Sequence, residues 1–450
     1  MISRLPSSRL AGIAVAAILA AALAAKAAFS FPFQFGIDFY QFWGVPIAHR
    51  TAVAASPYVD PPGYERALNG IADASDNAKL KHANAFRRTL ETMATPFFYS
   101  AFALVPSDYE SAQVLHTSLL YMATGIGVIL LASLRGLAFW PSVCVALLVE
   151  LTFNPFVQDL KYGNVTSLQF LYLATMLHVA VKGLYSRSAA IESLYLGSLA
   201  IFVLFKPNTP WIALAFAAQY WIARGPRRFA IGMIAGLVGT VIAFACGALF
   251  FHDGNAWLDW FHFTQGMNGG SLVRSLEQGN LSPAMLLAQR SMAFGLVQYA
   301  LMLAAWLALA LVLAMTSMGR RTDLLVPAAL RCFADPWLAL SIGVLFTFAT
   351  APLVWAYYHV FALVPMFAFF RPKEHPGRTA LVIVSYLTMA NPLLELLGSA
   401  GFGPLIPIIM FWSWTPLLVV VLGEVADRSV ATRMGHVQDP PGSNSNSIRT

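Results

Sequence analysis

The chain has little charge: Asp, Glu, Lys and Arg together make up 11% of its 450 residues. A soluble domain typically carries about 25%, so a molecule whose surface mostly faces water is excluded. Cysteine is also scarce. Cys144, Cys246 and Cys332 lie far apart, in or beside apolar stretches, and neither a disulfide framework nor a Cys-x-x-Cys metal spacing appears. No segment repeats at a fixed period, and no separate soluble domain is visible. What the sequence has instead is hydrophobic residues, 58% of the total, in long runs along its whole length. The core of such a chain is set by a bilayer and not by one globular interior. The net charge of +7 would suit nucleic acid, but the basic residues stand in short clusters at the ends of apolar runs. That placement speaks for membrane topology, and no nucleic-acid partner is expected.

Met1 to Ala28 has the outline of a secretory signal, with Arg4 and Arg9 ahead of an Ala-rich run. The run from Leu10 to Ala25 is slightly long for a signal core, however, and no clean cleavage site precedes Lys26. The reading is an uncleaved first transmembrane helix. With about 20 apolar residues per crossing, the spans fall near 10–29, 110–134, 138–153, 167–186, 190–205, 208–223, 229–251, 292–317, 336–351, 355–370, 379–395 and 405–422. That makes an all-α integral membrane bundle of about eleven or twelve transmembrane helices. With a cytoplasmic N-terminus, one side receives Arg4/Arg9, Arg135, Lys182/Arg187, Arg224/Arg227/Arg228, Arg320/Arg321, Arg371/Lys373/Arg378 and Arg428/Arg433. The short connections on the other side have very few Lys or Arg, as the positive-inside rule requires. The expected location is therefore the cell (inner) membrane, multi-pass, with both termini cytoplasmic. Residues 1–426 form the transmembrane domain, and 427–450 are a tail disordered by composition. Two external loops stand out: Ser30 to Asp108, with helix-like stretches such as Tyr64 to Glu91 lying on the membrane surface, and His252 to Pro283.

In lipid a charged side chain at helix depth costs about 2.5–3.5 kcal/mol on insertion scales, so such residues tend to have a use. Asp38, in Phe-Gly-Ile-Asp-Phe-Tyr-Gln-Phe-Trp, follows the first helix among aromatics. It is either a general base in an apolar setting or an N-cap for the helix starting at Phe39. Lys206 opens Lys-Pro-Asn at the external mouth of a helical hairpin, where it either snorkels to headgroups or holds a phosphate as a point charge. His359, in Trp-Ala-Tyr-Tyr-His, is a packing residue or a donor to a phosphate. Asp159, Lys161 and Tyr162 read as a solvated loop or as part of the same polar set. Glu150 and Glu395 read as acids at headgroup level, and His116 and His178 as packing residues. Asn164-Val-Thr and Asn280-Leu-Ser match the glycosylation sequon, a pattern short enough to arise by chance. Asp38, Asp159, Lys161, Lys206 and His359 come from five places in the chain, yet the topology puts all five on one membrane face. An acid, two cations and a histidine around a membrane-level cavity suit a substrate with an anionic head and a lipid tail.

At these residues the sequence resembles the GT-C superfamily of polyprenyl-phosphate-sugar-dependent glycosyltransferases. Within it, the similarity is to glycosyltransferase family 87, the polyprenol-phosphate-mannose-dependent mannosyltransferases. The resemblance is carried by Gly36-Ile-Asp38-Phe-Tyr40, Ser56-Pro-Tyr58-Val-Asp60-Pro-Pro-Gly-Tyr64, Thr95-Pro96-Phe-Phe-Tyr99, Tyr162-Gly163-Asn164, Lys206-Pro207 and Trp355-Ala-Tyr-Tyr-His359. These short motifs follow in order from residue 36 to residue 360. Gly163-Asn164 stands where the family often has Gly-Gln, and the family's later Asn-x-Ser pattern survives loosely at Asn280-Leu-Ser282. The resemblance implies a GT-C-like bundle in which Asp38 is the catalytic base and Lys206 and His359 lie near the donor phosphate. Tyr40, Tyr58, Asp60, Lys161, Asn164 and Tyr358 are the further candidates for lining the substrate. The implied partners are a polyprenyl-phosphate sugar donor, attacked with inversion, a lipid or glycan acceptor, and membrane lipids. No second acid lies near Asp38, so no metal and no cofactor is expected. The alternative class is a multi-pass transporter or flippase of a lipid-linked or anionic substrate. Repeated halves and charges near the bilayer midplane would mark it; the sequence shows no repeat, and its charges crowd toward one face.

Overall fold

A computed structural model describes residues 7–31, 34, 36–53, 55–89, 94–267, 281–283, 325–351 and 354–433. The expected span 292–317, Asn280, Arg320 and Arg321, and the tail from 434 onward lie outside the described residues. The first half contains α1 (Ser7–Ser30), α2 (Ile37–Thr51), α3 (Pro61–Ala74), α4 (Ala78–Phe86), α5 (Pro96–Phe102) and α6 (Tyr109–Leu134), followed by α7 (Phe139–Thr152), α8 (Asn154–Tyr162), α9 (Thr166–Val181) and α10 (Ala189–Phe205). Then come α11 (Pro210–Phe251), α12 (Ala256–Met267), α13 (Leu325–Ala334), α14 (Pro336–Thr350), a 3-10 helix over Ala356–Ala362, α15 (Leu363–Phe369), α16 (Pro376–Thr388), α17 (Asn391–Leu397), α18 (Ile406–Trp412) and α19 (Thr415–Arg433). Among the described residues the protein is all-helical; its one β-type contact is an isolated bridge between Phe153 and Ala390.

Local chemistry sets the helix starts. Asn77, Thr95, Asp108 and Asp335 cap α4, α5, α6 and α14 by accepting backbone N–H groups of the first turn, the orphan donors that every helix start leaves. Proline stands in the first turn of α3, α5, α11, α14, α16 and α17, where its missing N–H costs no bond. Arg9–Ser30, Tyr109–Leu134, Pro210–Phe251 and Asn391–Val430 are long and apolar enough to cross a bilayer, and shorter apolar helices accompany them. Ile231, Met233, Ile234, Leu237, Val238, Val241 and Leu249 of α11 are each more than half exposed. A patch of this extent is unfavourable in water and ordinary against lipid.

α11 is not one rod. A straight helix of its 42 residues would be about 63 Å long. Yet Thr95 Oγ1 donates to the Leu204 carbonyl just ahead of α11, and Gly247 near its far end packs on Pro96. The chain therefore doubles back at Gly225-Pro226, where Gly225 has φ 80 and ψ 166. This is the break between the expected spans 208–223 and 229–251. The returning half lies close against α10: a Cβ at Gly239 would stand 2.3 Å from the carbonyl oxygen of Gly197. Small residues permit such backbone approach between helices in lipid.

The long segment expected outside the membrane does form short helices, α2 to α5. They share an aromatic core of Phe39, Trp43, Tyr64, Phe98, Tyr99 and Phe102 that continues into Tyr109 of α6. Two expectations change here. The stretch read as a loop around Asp159 is the helix α8, ended by Gly163. Residues 427–433, expected in the tail, belong to the helix α19, with Arg378 bonded to Glu424 at 2.6 Å and Arg428 to Asp335 at 2.6 Å. Arg378 also pairs with Asp427.

The ends of α6 mark two poles. Near its start, Gln113 Nε2 donates to the Gln34 carbonyl at 2.5 Å, just ahead of α2. At its other end Arg135 stands over the Trp337 ring, 5.8 Å from the centroid, in the neighbourhood of Arg371, Glu374 and Asp335. With 26 residues, α6 separates the poles by about 39 Å.

Candidate functional site

Asp38 is the second residue of α2, whose N-cap is Gly36, and no side chain caps that helix. The capping reading of Asp38 is therefore set aside. The residue is buried, 9% exposed overall, and its carboxylate is held by three donors. Arg87 Nη2 donates to Oδ1 at 2.8 Å, Asn164 Nδ2 to Oδ2 at 2.7 Å, and the Tyr357 hydroxyl to Oδ2 at 3.2 Å. The donors come from the C-cap of α4, the turn between α8 and α9, and the 3-10 helix.

Asn164 is the bridge. Its Oδ1 accepts from Lys206 Nζ at 2.5 Å and from the Val165 backbone N–H at 2.8 Å. With a carboxylate on one side and an ammonium on the other, only one orientation of the amide satisfies both. The turn that presents it depends on glycine: Gly163 has φ +67, and a Cβ there would stand 2.7 Å from Phe39 Cβ and 3.1 Å from Gly36 Cα. His116 fixes the same turn from below. Its Nε2–H donates to the carbonyls of Gly163 at 3.0 Å and Asn164 at 3.1 Å, and its ring stacks on Phe39 at 4.6 Å. His116 is thus the packing residue expected, with a defined task. A glycan on Asn164 is incompatible with its burial at 3% exposure.

Lys206 is the C-cap residue of α10. Its ammonium lies 5.7 Å from the ring centroid of Tyr357 and 5.1 Å from that of Tyr358, within cation–π range. Burial pushes its pKa down to about 8, while the carboxylates of Asp38 and Asp159 hold it from falling further. Tyr358 also engages Asn208, which accepts from Gln169 Nε2 at 3.2 Å.

Asp38, Asn164, Lys206 and Tyr358 are therefore brought together as expected, and the other candidates are not. Asp60 caps α3, accepting from Gly63 N at 2.9 Å. Tyr58 donates to the Ala94 carbonyl at 2.6 Å. Tyr40 donates to Asn84 Oδ1 at 2.8 Å, tying α2 to α4 three residues ahead of Arg87. Lys161 is exposed, and its ammonium lies 5.8 Å from the Tyr162 ring centroid. Asp159 is not solvated: it is fully buried and accepts from the first turn of α9, from Ser167 N at 2.8 Å, Ser167 Oγ at 2.6 Å and Thr166 N at 3.3 Å. Burial pushes its pKa up to about 6 against those bonds and the Lys206 charge. Glu150 is buried too, against α6 at Gly125.

His359 is the clearest departure. It is fully buried and stacks on Phe348 at 4.8 Å, and among the described residues it has no polar contact with Asp38, Asn164 or Lys206. The cause is the 3-10 winding of Ala356–Ala362. At three residues per turn, consecutive side chains point in three different directions. Tyr357 and Tyr358 meet the polar cluster and His359 enters the helix core.

No protein-family model matches the chain, and no curated protein or solved structure matches it either. The site therefore has to be read from its own geometry. Chemically it offers one carboxylate within hydrogen-bond reach of hydroxyl-bearing groups, one ammonium bridged to it, and an aromatic wall of Tyr162, Tyr357 and Tyr358. Tyr162 and Tyr357 pack with ring centroids 6.1 Å apart. Among the described residues no group of His, Cys, Asp and Glu has the arrangement of a metal site.

Arg87 and Tyr357 are the members that sequence reading missed. Arg87 is one of four arginines between Ser30 and Asp108, and nothing local in the sequence distinguishes it from Arg88. The contrast between the two lysines is directly testable. Lys161→Ala should leave any activity of the site within about twofold, since surface changes away from a site alter little. Lys206→Ala should cost tenfold or more, about the worth of one charge-assisted hydrogen bond. Equal losses in the two variants would contradict this placement.

Proposed function

We propose that the chain is a membrane glycosyltransferase that moves a sugar, mannose by the resemblance, from a polyprenyl-phosphate carrier to a lipid or glycan acceptor. The observation that carries this reading is the line Asp38–Asn164–Lys206, a carboxylate and an ammonium joined through one amide. In the proposed step the Asp38 carboxylate takes the proton of the acceptor hydroxyl as that oxygen attacks the anomeric carbon. The bond from the anomeric carbon to the phosphate oxygen breaks, its electron pair leaves with the lipid phosphate, and the anomeric configuration inverts. A phosphate leaving group needs little protonation, so one base and one cation form a sufficient minimum set. Lys206 supplies the cation, with Tyr357 and Tyr358 flanking it. His359 is left out of this set because of its stacking in the core.

Sidedness follows from the charge distribution. The pole at the far end of α6 gathers Arg135, Arg371, Arg378 and Arg428, and Arg224 and Arg228 meet Glu192 at the start of α10, which ends at Lys206. Arginine-rich ends favour the cytoplasmic side, which supports the reading that Asp38 faces the extracytoplasmic side.

The reading makes a pH prediction. An ammonium with its pKa near 8 is charged below that pH and neutral above it, so donor use should fall as pH rises through about 8. Lys206→Arg should move this alkaline limb upward, because a guanidinium stays charged throughout. The measurement is the donor KM between pH 6.5 and 9.5 for both proteins in lipid nanodiscs. A limb that stays in place in Lys206→Arg removes Lys206 from the donor site.

A further inference from the structure

A carboxylate offers about four lone-pair sites, and the three donors on Asp38 leave one, on Oδ1 beside the Arg87 guanidinium. Two of the donors are fixed. Asn164 is locked by Lys206, by the Val165 N–H and by the turn that His116 holds. Tyr357 belongs to a 3-10 helix that is buried over its whole length from Tyr357 to Ala362. Arg87 differs. It is the C-cap of the nine-residue helix α4, and its side chain keeps 16% exposure against 12% for Asp38. It takes Oδ1, whereas Asn164 and Tyr357 take Oδ2. Two cations thus flank one acid, and the one on the surface helix is a guanidinium, whose planar fork matches phosphate oxygens in pairs.

We infer that Arg87 is a positioning residue shared between Asp38 and the donor. Paired with the carboxylate, it stands beside the remaining lone pair of Oδ1 and competes with an acceptor hydroxyl for that oxygen. When a polyprenyl-phosphate sugar binds, its phosphate takes over the guanidinium and both lone pairs of Oδ1 open to the acceptor's hydroxyl. The base is then fully open only with the donor bound, so the donor binds before the acceptor. This inference rests on the transferase reading given above.

The test uses the full chain in lipid nanodiscs and a synthetic polyprenyl monophosphate that carries no sugar. Its affinity is measured for the wild type, Arg87→Ala, Arg87→Lys, Asp38→Asn and the double variant, with thermal melting to confirm folding. Arg87→Ala should weaken binding by about tenfold or more, the worth of a hydrogen bond to a charged group, and Arg87→Lys should recover part of the loss. Asp38→Asn should tighten binding, because the negative charge that competes with the phosphate for Arg87 is removed. That gain should be several-fold larger than the gain from Asp38→Asn in the R87A background, where only repulsion by the carboxylate is relieved. Equal gains in both backgrounds, or unchanged affinity in Arg87→Ala, overturn the inference and leave the transferase reading intact. A wild type that binds no polyprenyl monophosphate overturns both.

Discussion

Asp38→Asn should lower sugar transfer by about 10²–10⁴-fold, the usual contribution of a positioned general base, and the protein should still fold. Asparagine keeps the shape of the side chain, and its carbonyl oxygen can still accept from Asn164 or Tyr357, which reach Oδ2 at 2.7 and 3.2 Å. What disappears is the charge, and with it both the proton acceptor and the ion pair to Arg87 at 2.8 Å. The fold around it rests on other contacts. The aromatic core of α2 to α5 and the Gln113 bond to the Gln34 carbonyl do not involve the carboxylate. Transfer of labelled sugar in proteoliposomes, alongside the melting temperature, separates the two effects. Near-normal turnover would remove Asp38 from catalysis, whereas a variant that fails to insert would mark it as structural.

Asn164→Leu should have the second-largest effect, and it should act on stability and activity together. The amide donates to Asp38 and accepts from Lys206 and Val165 N. An isobutyl group does neither, so one acceptor and two donors lose a partner at once. An unsatisfied buried polar group costs about 1–3 kcal/mol, more where a charge is involved. The melting temperature should drop by several degrees. Transfer should fall further than the folded fraction does, because Lys206 is no longer tied to the carboxylate. Asn164→Gln, the residue the family resemblance leads one to expect, should restore a substantial part of both. A variant Asn164→Leu with wild-type transfer would show that the Asp38–Lys206 bridge is incidental.

The bilayer architecture was legible in the sequence because it rests on averages over about 20 residues, which single positions cannot upset. The break in α11 was also legible, since Gly225-Pro226 lies between two apolar runs and three arginines surround it. The partnership of Asp38 with Asn164 and Lys206 was legible only as a shared membrane face. Its geometry depends on a left-handed Gly163 packed against Phe39, a contact 124 positions apart in the sequence that no local pattern encodes. Arg87 was illegible for the same reason: its place is set by the Tyr40–Asn84 bond and the turn after α4. The errors have physical causes as well. Asp60 and Asp159 carried the acid expected of a site, but Asp60 is the N-cap of α3, a common use of aspartate, and Asp159, inside α8, is taken up by the N–H groups of the first turn of α9. His359 was misplaced because 3-10 and α windings aim the third residue of Tyr-Tyr-His in different directions.

The most direct test of the account is the fate of a purified, isotope-labelled polyprenyl-phosphate sugar incubated with the full chain and a membrane lipid extract. The proposal predicts that the label moves to a new lipid or glycan product with the opposite anomeric configuration, read by NMR, and that free polyprenyl phosphate accumulates in equal amount. Label that stays on its original carrier, even if the carrier has crossed the bilayer, would contradict sugar transfer and support transport instead.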